Sequence, residues 1–140
     1  MLRKSLLHLA DRHLAAVEDA RGERRQRLHA LAVVEQVADH LVRIAANTTA
    51  SVGIAHRMSQ LRAQGTATMG QAAIAKLKTS QMARESAALG RQLMGGNGIL
   101  VDREMGKIFS DVEAIFTYEG TAEVNTLIVG RALTGVSAFV

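Results

Sequence analysis

Leu2, Leu6, Leu9, Leu14 and Val17 recur at helical spacing from the start of the chain, and the pattern dissolves at Gly22 and the charged stretch GERRQR. Apolar residues three and four apart line one face of a helix, so a first helix ending near Gly22 is predicted. A second, longer stripe runs through Val34, Val37, Leu41, Ile44, Thr48, Ser51, Ala55 and Met58. It predicts a helix that stops near Gly65, a residue suited to a left-handed C-terminal cap. A third begins at Thr68, a good N-cap, and carries Ile74, Leu77, Ala83 and Leu89 as far as QLMGGNG. The glycine-punctuated segment GGNGILVDREMGKIFSDVEAIFTYEG follows, with room for one short helix. The last helix starts at a second N-cap residue, Thr121, and carries Val124, Leu127, Ile128, Arg131 and Ala132 before Val136.

Four helices with one apolar face each must bury those faces on one another, and short connections make neighbours antiparallel. The expected fold is therefore all-α, an up-down antiparallel four-helix bundle with the 95–120 segment across one end. Many interface positions are Ala, Gly or Ser, so close helix approach is expected. No repeat, low-complexity segment or linker interrupts residues 1–140, which read as one domain.

Composition sharpens this picture. The 140 residues are 48% hydrophobic, enough for a packed core, and contain no Pro to break a helix and no Cys to make a disulfide or zinc ribbon. The net charge is +4, from 17 basic and 13 acidic residues. Basic residues crowd the first helix, but acids are interleaved and no aromatic residue is there to stack a base. The pattern is that of a solvated helix face, and no nucleic-acid partner is expected. The opening MLRKSLLHLADRHLAA is basic and amphipathic like a transit peptide, yet it continues into charged helix without a cleavage-like break. It reads as structure, with the cytoplasm as the default location. No apolar run approaches the roughly 18 residues of a membrane span.

Helical bundles often hold metals. A di-iron site of that kind needs Glu-x-x-His pairs, and none of His8, His13, His29, His40 and His56 has Glu three residues before it. No metal site is expected, and no nucleophile elbow is present. Two loops remain. GGNG after a helix is a cap and turn on general grounds, although glycines also admit close backbone approach to a ligand and free N–H groups can hold an anion. Glu119 reads as a solvated charge, as a partner for the positive end of the next helix, or as a catalytic carboxylate.

Taken together, RQLMGGNGI and, some twenty residues on, EAIFTYEGTAEVNTLIVGRALTG resemble the C-terminal domain of the acyl-CoA dehydrogenases, and the glutaryl-CoA dehydrogenase branch in particular. The resemblance covers residues 66–139 and extends more weakly through NTTASVGIAHRMSQLRAQG and ARGERRQ. It implies that Glu119 removes the α-proton of an acyl-CoA thioester while a hydride leaves the β-carbon for N5 of FAD. It implies that the Glu119 N–H polarises the thioester carbonyl, an oxyanion-type contact. Tyr118 would lie beside the acyl chain, Gly120 would let the chain turn tightly over the substrate, and Thr121 and Glu123 would lie beside the flavin. Gln92, Gly95 and Gly96 would reach the FAD of a neighbouring subunit, and Arg24 would touch FAD from the first helix.

The resemblance further implies electron-transferring flavoprotein as acceptor and a homo-oligomer, dimer or tetramer. Two departures stand out: Arg27-Leu28 replace a Phe-Gly pair at the end of the first helix, and Val34-Glu35 replace a Phe-Gln pair. The family also places an α-helical and a β-domain before this bundle, so the chain by itself is expected to be inactive. The alternative is a non-catalytic helical module that keeps only the family's oligomer contacts. If the base were on the first helix instead, as in some families of this fold, Glu18 and Glu23 would be its candidates.

Overall fold

The computed structural model describes residues 2–137, with side chains described for Arg12 and from Val17 onward. The side chains of Leu2, Leu6, Leu9 and Leu14 lie outside the described residues. The described residues form four α-helices and no strand: α1 (Leu2–Ala63), α2 (Met69–Leu93), α3 (Met105–Thr117) and α4 (Ala122–Thr134). Two short 3-10 turns, Gly95–Ile99 and Val101–Arg103, connect α2 to α3. The all-α class predicted by the periodicity is what the chain adopts.

The elements are cut differently from the sequence pattern. No break occurs at Gly22; the helix runs through it as part of α1. A glycine inside a helix costs about 1 kcal/mol relative to alanine. Here it is flanked by Ala20, Arg21, Glu23, Arg24 and Arg25, all good helix formers. Where the resembled pattern has glycine at the end of the first helix, this chain has Leu28, which gives the helix no reason to stop. The 95–120 segment contains a helix of 13 residues, α3, more than the short piece expected.

The chain divides into two units, Met1–Asp39 and His40–Val140. In the first, every described side chain is exposed, including Leu28, Leu31, Val34 and Val37.

The second unit is built around α2. The connection from α1 closes at Gly65, where φ is +69. The Thr66 N–H donates to Leu61 O at 3.0 Å and the Gly65 N–H to Arg62 O at 3.1 Å. This is the paired cap that a left-handed glycine permits. Thr68 then opens α2 with a reciprocal capping box: its hydroxyl accepts from the Gln71 N–H, and the Gln71 side chain accepts from the Thr68 N–H.

The end of α1 and α2 form an antiparallel pair. Asn47 reaches Glu85 and Ser86 near one end, while Met58 and Leu61 line a groove with Gln71 and Ile74 near the other. The α1 face toward α2 is His40, Ile44, Asn47, Ser51, Ile54, Met58 and Leu61, buried or half-buried at alternating steps of four and three. This shares Ile44, Ser51 and Met58 with the predicted stripe. Leu41, Thr48 and Ala55 are exposed, because the buried face is rotated by about one residue. The rotation has a cause: Asn47, a polar residue the apolar pattern passes over, donates to Glu85 Oε2 at 2.9 Å and to Ser86 Oγ at 3.4 Å.

On its other side α2 carries α3 and α4 in succession. Arg84 Nε donates to Glu113 Oε1 at 2.7 Å, and the guanidinium lies 4.2 Å over the Phe116 ring. Arg91 lies over Phe109 at 5.7 Å. Nearer the start of α2, a Cβ on Gly70 would meet the Ala132 Cβ at 2.8 Å. Only glycine lets α4 approach this closely, which is the close packing expected of the small residues. Both α3 and α4 therefore run antiparallel to α2, end to end, and the stretch TYEGT is the gap between them.

Candidate active site

The gap begins where α3 ends at Thr117, with Tyr118 as the extended C-cap, φ −82 and ψ 170. Two residues of positive φ follow, Glu119 at +58 and Gly120 at +92. Thr121 returns to extended geometry and caps α4, its hydroxyl accepting from the Val124 N–H at 3.4 Å. Gly120 adopts its angle freely, but Glu119 does not: the left-handed region brings Cβ against the following carbonyl and costs roughly 1–2 kcal/mol. Such strain persists only where the surroundings impose it, and it gathers at functional sites.

The surroundings here are two side-chain donors, an ammonium and an amide. Lys76 Nζ, from the first third of α2, donates to Phe116 O at 3.0 Å and to Gly120 O at 2.7 Å. Asn125 Nδ2, from the first turns of α4, donates to the same Gly120 O at 2.7 Å and to Thr121 O at 3.0 Å. Asn125 is buried, and its satisfied amide is the reason it can be. The result turns Glu119 outward: its side chain is exposed, as is that of Tyr118. Among the described residues no acceptor engages the Glu119 N–H. The loop thus offers a carboxylate and a free backbone donor on one residue, the pair needed to take a proton from a carbon acid and to steady the oxyanion that results.

Thr121 and Glu123 are coupled to each other. The Glu123 carboxyl is held below its ordinary range, first by its own backbone N–H and then by the Thr121 hydroxyl. It is a helix-capping carboxylate at the positive end of α4.

The glycine loop lies elsewhere on the unit. After Leu93, the Met94 N–H donates to Gly90 O at 3.2 Å and the first 3-10 turn begins. Gly95 has φ +54, and a Cβ on Gly95 or Gly96 would meet nothing within 4 Å. Gln92, Gly95 and Gly96 are all exposed. The glycine that packing demands is Gly98, where a Cβ would stand 2.2 Å from Arg91 O. Lys76, which holds the TYEGT loop, and Gln92 are separated along α2 by about 24 Å at 1.5 Å per residue. The structure therefore brings Tyr118, Glu119, Gly120, Thr121 and Glu123 together, gathers Gln92, Gly95 and Gly96 separately, and keeps the two sets apart. Arg24 is exposed on α1 in the other unit.

Three residues that shape these loops escaped the sequence pattern: Lys76, Asn125 and Gly98. Lys76 follows Ala73 by three and precedes Ser80 by four, so a charge stands on the buried face of α2. Asn125 is a polar residue four positions after the cap of α4, on its buried face. A polar residue on a buried face requires a partner, and that signal was readable. Among the described residues no three His, Asp or Glu side chains gather as a metal ion would need. None of the described helices is long and apolar enough to cross a membrane.

Residues 5–134 match the family model for the C-terminal domain of acyl-CoA dehydrogenase. Among solved structures, glutaryl-CoA dehydrogenase from Mycobacterium smegmatis is similar, with a TM-score of 0.59 and 34% sequence identity over 62% of this chain. That match spans 22% of the neighbour's own length. With a family model covering nearly all of α1 to α4, the chain belongs to the acyl-CoA dehydrogenase C-terminal domain family.

Proposed function

We propose that this chain is the catalytic C-terminal domain of an FAD-dependent acyl-CoA dehydrogenase, with Glu119 as the base that takes the α-proton of an acyl-CoA thioester. The observation that carries the proposal is the strained, outward-turned Glu119 with an unengaged N–H, in the loop that resembles the family's base-bearing loop. The 34% identical neighbour, a glutaryl-CoA dehydrogenase, supports a short acyl-CoA of the glutaryl type as substrate.

Within this reading Glu119 receives the α-proton on its carboxylate. Its N–H donates to the thioester oxygen as negative charge develops there, a contact worth more in the transition state than in the bound ground state. Tyr118, 55% exposed, offers a ring to the acyl chain. The open backbone at Gly95 and Gly96 fits close approach of a flat or phosphate-bearing group, and the exposed Gln92 amide beside it can donate or accept. These residues would hold one FAD, while Thr121 would hold a second beside Glu119; Arg24 is a proposed FAD contact within the first unit. The chemistry FAD supplies when bound is acceptance of the two electrons that leave the β-carbon as hydride. The separation of the two residue sets along α2 supports a homo-oligomer, dimer or tetramer, in which each set serves a different FAD. Electron-transferring flavoprotein is the proposed final acceptor.

The test complements this chain with the two domains that precede the bundle in its family, loads the product with FAD (the flavin-loaded protein), and mixes it anaerobically with glutaryl-CoA and with monocarboxylic acyl-CoAs of several lengths. The flavin absorbance should bleach within the mixing experiment for at least one thioester. Binding of thioester with no bleaching for any of them would point to the non-catalytic reading.

A further inference from the structure

We infer that Lys76 is a positioning residue that sets the conformation of the Glu119 turn from the neighbouring helix; this rests on the proposal that Glu119 is the base. The ammonium group bridges two carbonyls that belong to different elements. Phe116 O is among the last four carbonyls of α3, which have no partner within the helix. Gly120 O lies beyond the turn, at the threshold of α4. Lys76 bonds both, at 3.0 and 2.7 Å, so one cation spans the turn and fixes the distance between its two ends.

Gly120 O carries a second donor, Asn125 Nδ2, also at 2.7 Å. With both of its acceptor directions filled from α2 and α4, the Gly120 carbonyl is fixed in direction. The chain between Phe116 O and Gly120 O holds Thr117, Tyr118 and Glu119. With both ends held, the left-handed angle at Glu119 is retained against its intrinsic cost. The same clamp leaves the Glu119 N–H and carboxylate on the open side. A cation capping the C-terminal end of α3 would by itself be an ordinary helix-stabilising device. The bond to Gly120 O goes beyond this, because it joins the cap to the turn that follows. Arg84 reinforces the arrangement by lying over the Phe116 ring.

The test uses the full 140-residue chain and the flavin-loaded protein, with Lys76→Met and Lys76→Arg. Methionine keeps the length of the stem and removes every donor; arginine keeps the charge and can donate to two carbonyls. Amide hydrogen exchange of the flavin-free chain should speed up by about tenfold or more at the end of α3, including the Tyr118 N–H that is bonded to Ala114 O. Exchange in the first half of α2 should stay unchanged. Lys76→Arg should restore most of the protection. In the loaded protein, Lys76→Met should lower the rate of flavin reduction by about 10- to 100-fold, as small misplacements of a reacting group do, with thioester affinity within about twofold.

Unchanged exchange at the end of α3 would overturn the inference. So would loss of protection spread evenly over α2, α3 and α4, which marks a purely structural lysine. If Lys76→Met does not fold, Lys76→Arg alone decides: normal stability with normal exchange supports the clamp, and normal stability with a freed α3 end contradicts it. A failure of the base assignment is separately visible, since Glu119→Gln would then keep its reduction rate while the exchange result at Lys76 stood.

Discussion

At the residue scale, backbone angles and close approaches make sharper demands than burial does. Gly98 cannot carry a side chain without moving the Arg91 carbonyl, 2.2 Å from where its Cβ would be. Gly98→Ala should cost about 2 kcal/mol or more in urea unfolding, whereas Gly96→Ala, with open space and no positive φ, should be within about 1 kcal/mol of neutral. Equal effects at the two positions would contradict the geometry. Glu119 makes the opposite kind of prediction. A glycine there relieves left-handed strain, so Glu119→Gly should leave stability unchanged or raise it by up to about 1 kcal/mol, while removing the carboxylate. That combination is the signature of a residue retained for chemistry at a cost to folding. A loss of more than about 1 kcal/mol would mean that the side chain stabilises the turn.

At the element scale, the α1–α2 pair depends on one polar cluster. Asn47 is half-buried and bonded to Glu85 and Ser86, and Arg43 pairs with Glu85 from the previous turn. The Glu85 carboxyl is held below its ordinary range, first by the Asn47 amide and then by Arg43. A depressed carboxylate contributes stability above its unfolded-state pKa and loses it as pH falls through the folded value. Glu85→Gln should therefore flatten the acid limb of the stability curve below about pH 4.3, with little change in its shape above neutrality. An unaltered acid limb would show that the pair does not hold α1 on α2.

This cluster also shows where the sequence pattern stopped being informative. The existence of α2 and α4, and their caps at Thr68 and Thr121, were legible because capping is local chemistry. The buried face of α1 was not, because hydrophobic spacing cannot see that Asn47 finds partners 38 and 39 residues away. The continuity of α1 through Gly22 was missed for a related reason: a glycine and a charge cluster look like an end, yet neither removes a backbone hydrogen bond. The gap before α4 was legible from the Thr121 cap, while the role proposed for Glu119 leaned on the resemblance. Their support, Lys76 and Asn125, comes from the tertiary arrangement.

At the scale of the whole molecule, the buried set is small: Leu61, Ala73, Met82, Ala87 and Leu89 are its apolar members among the described residues. Large apolar side chains are exposed in both units, Leu31 and Val34 in the first and Met69 and Leu133 in the second. Exposed apolar surface on this scale marks surface that a partner covers, in keeping with the proposed homo-oligomer. Light scattering of the 140-residue chain should therefore give at least a dimer at micromolar concentration, and a monomer across the whole range would contradict this. The same chain should bind little FAD, since Lys76, which holds the turn next to Thr121, and Gln92 stand about 24 Å apart along α2 and each set of proposed flavin contacts supplies only part of a site. A stoichiometric flavin spectrum from the purified chain would overturn that expectation.

The most direct test of the account is transfer of the α-proton itself. An acyl-CoA thioester deuterated at the α-carbon, incubated anaerobically with the flavin-loaded protein, should lose deuterium to water, as followed by mass spectrometry. With Glu119→Gln the loss should fall by at least about 100-fold, the usual scale of general-base catalysis, while the thioester still binds. Deuterium loss at the unmutated rate in Glu119→Gln would place the base elsewhere and contradict the central claim.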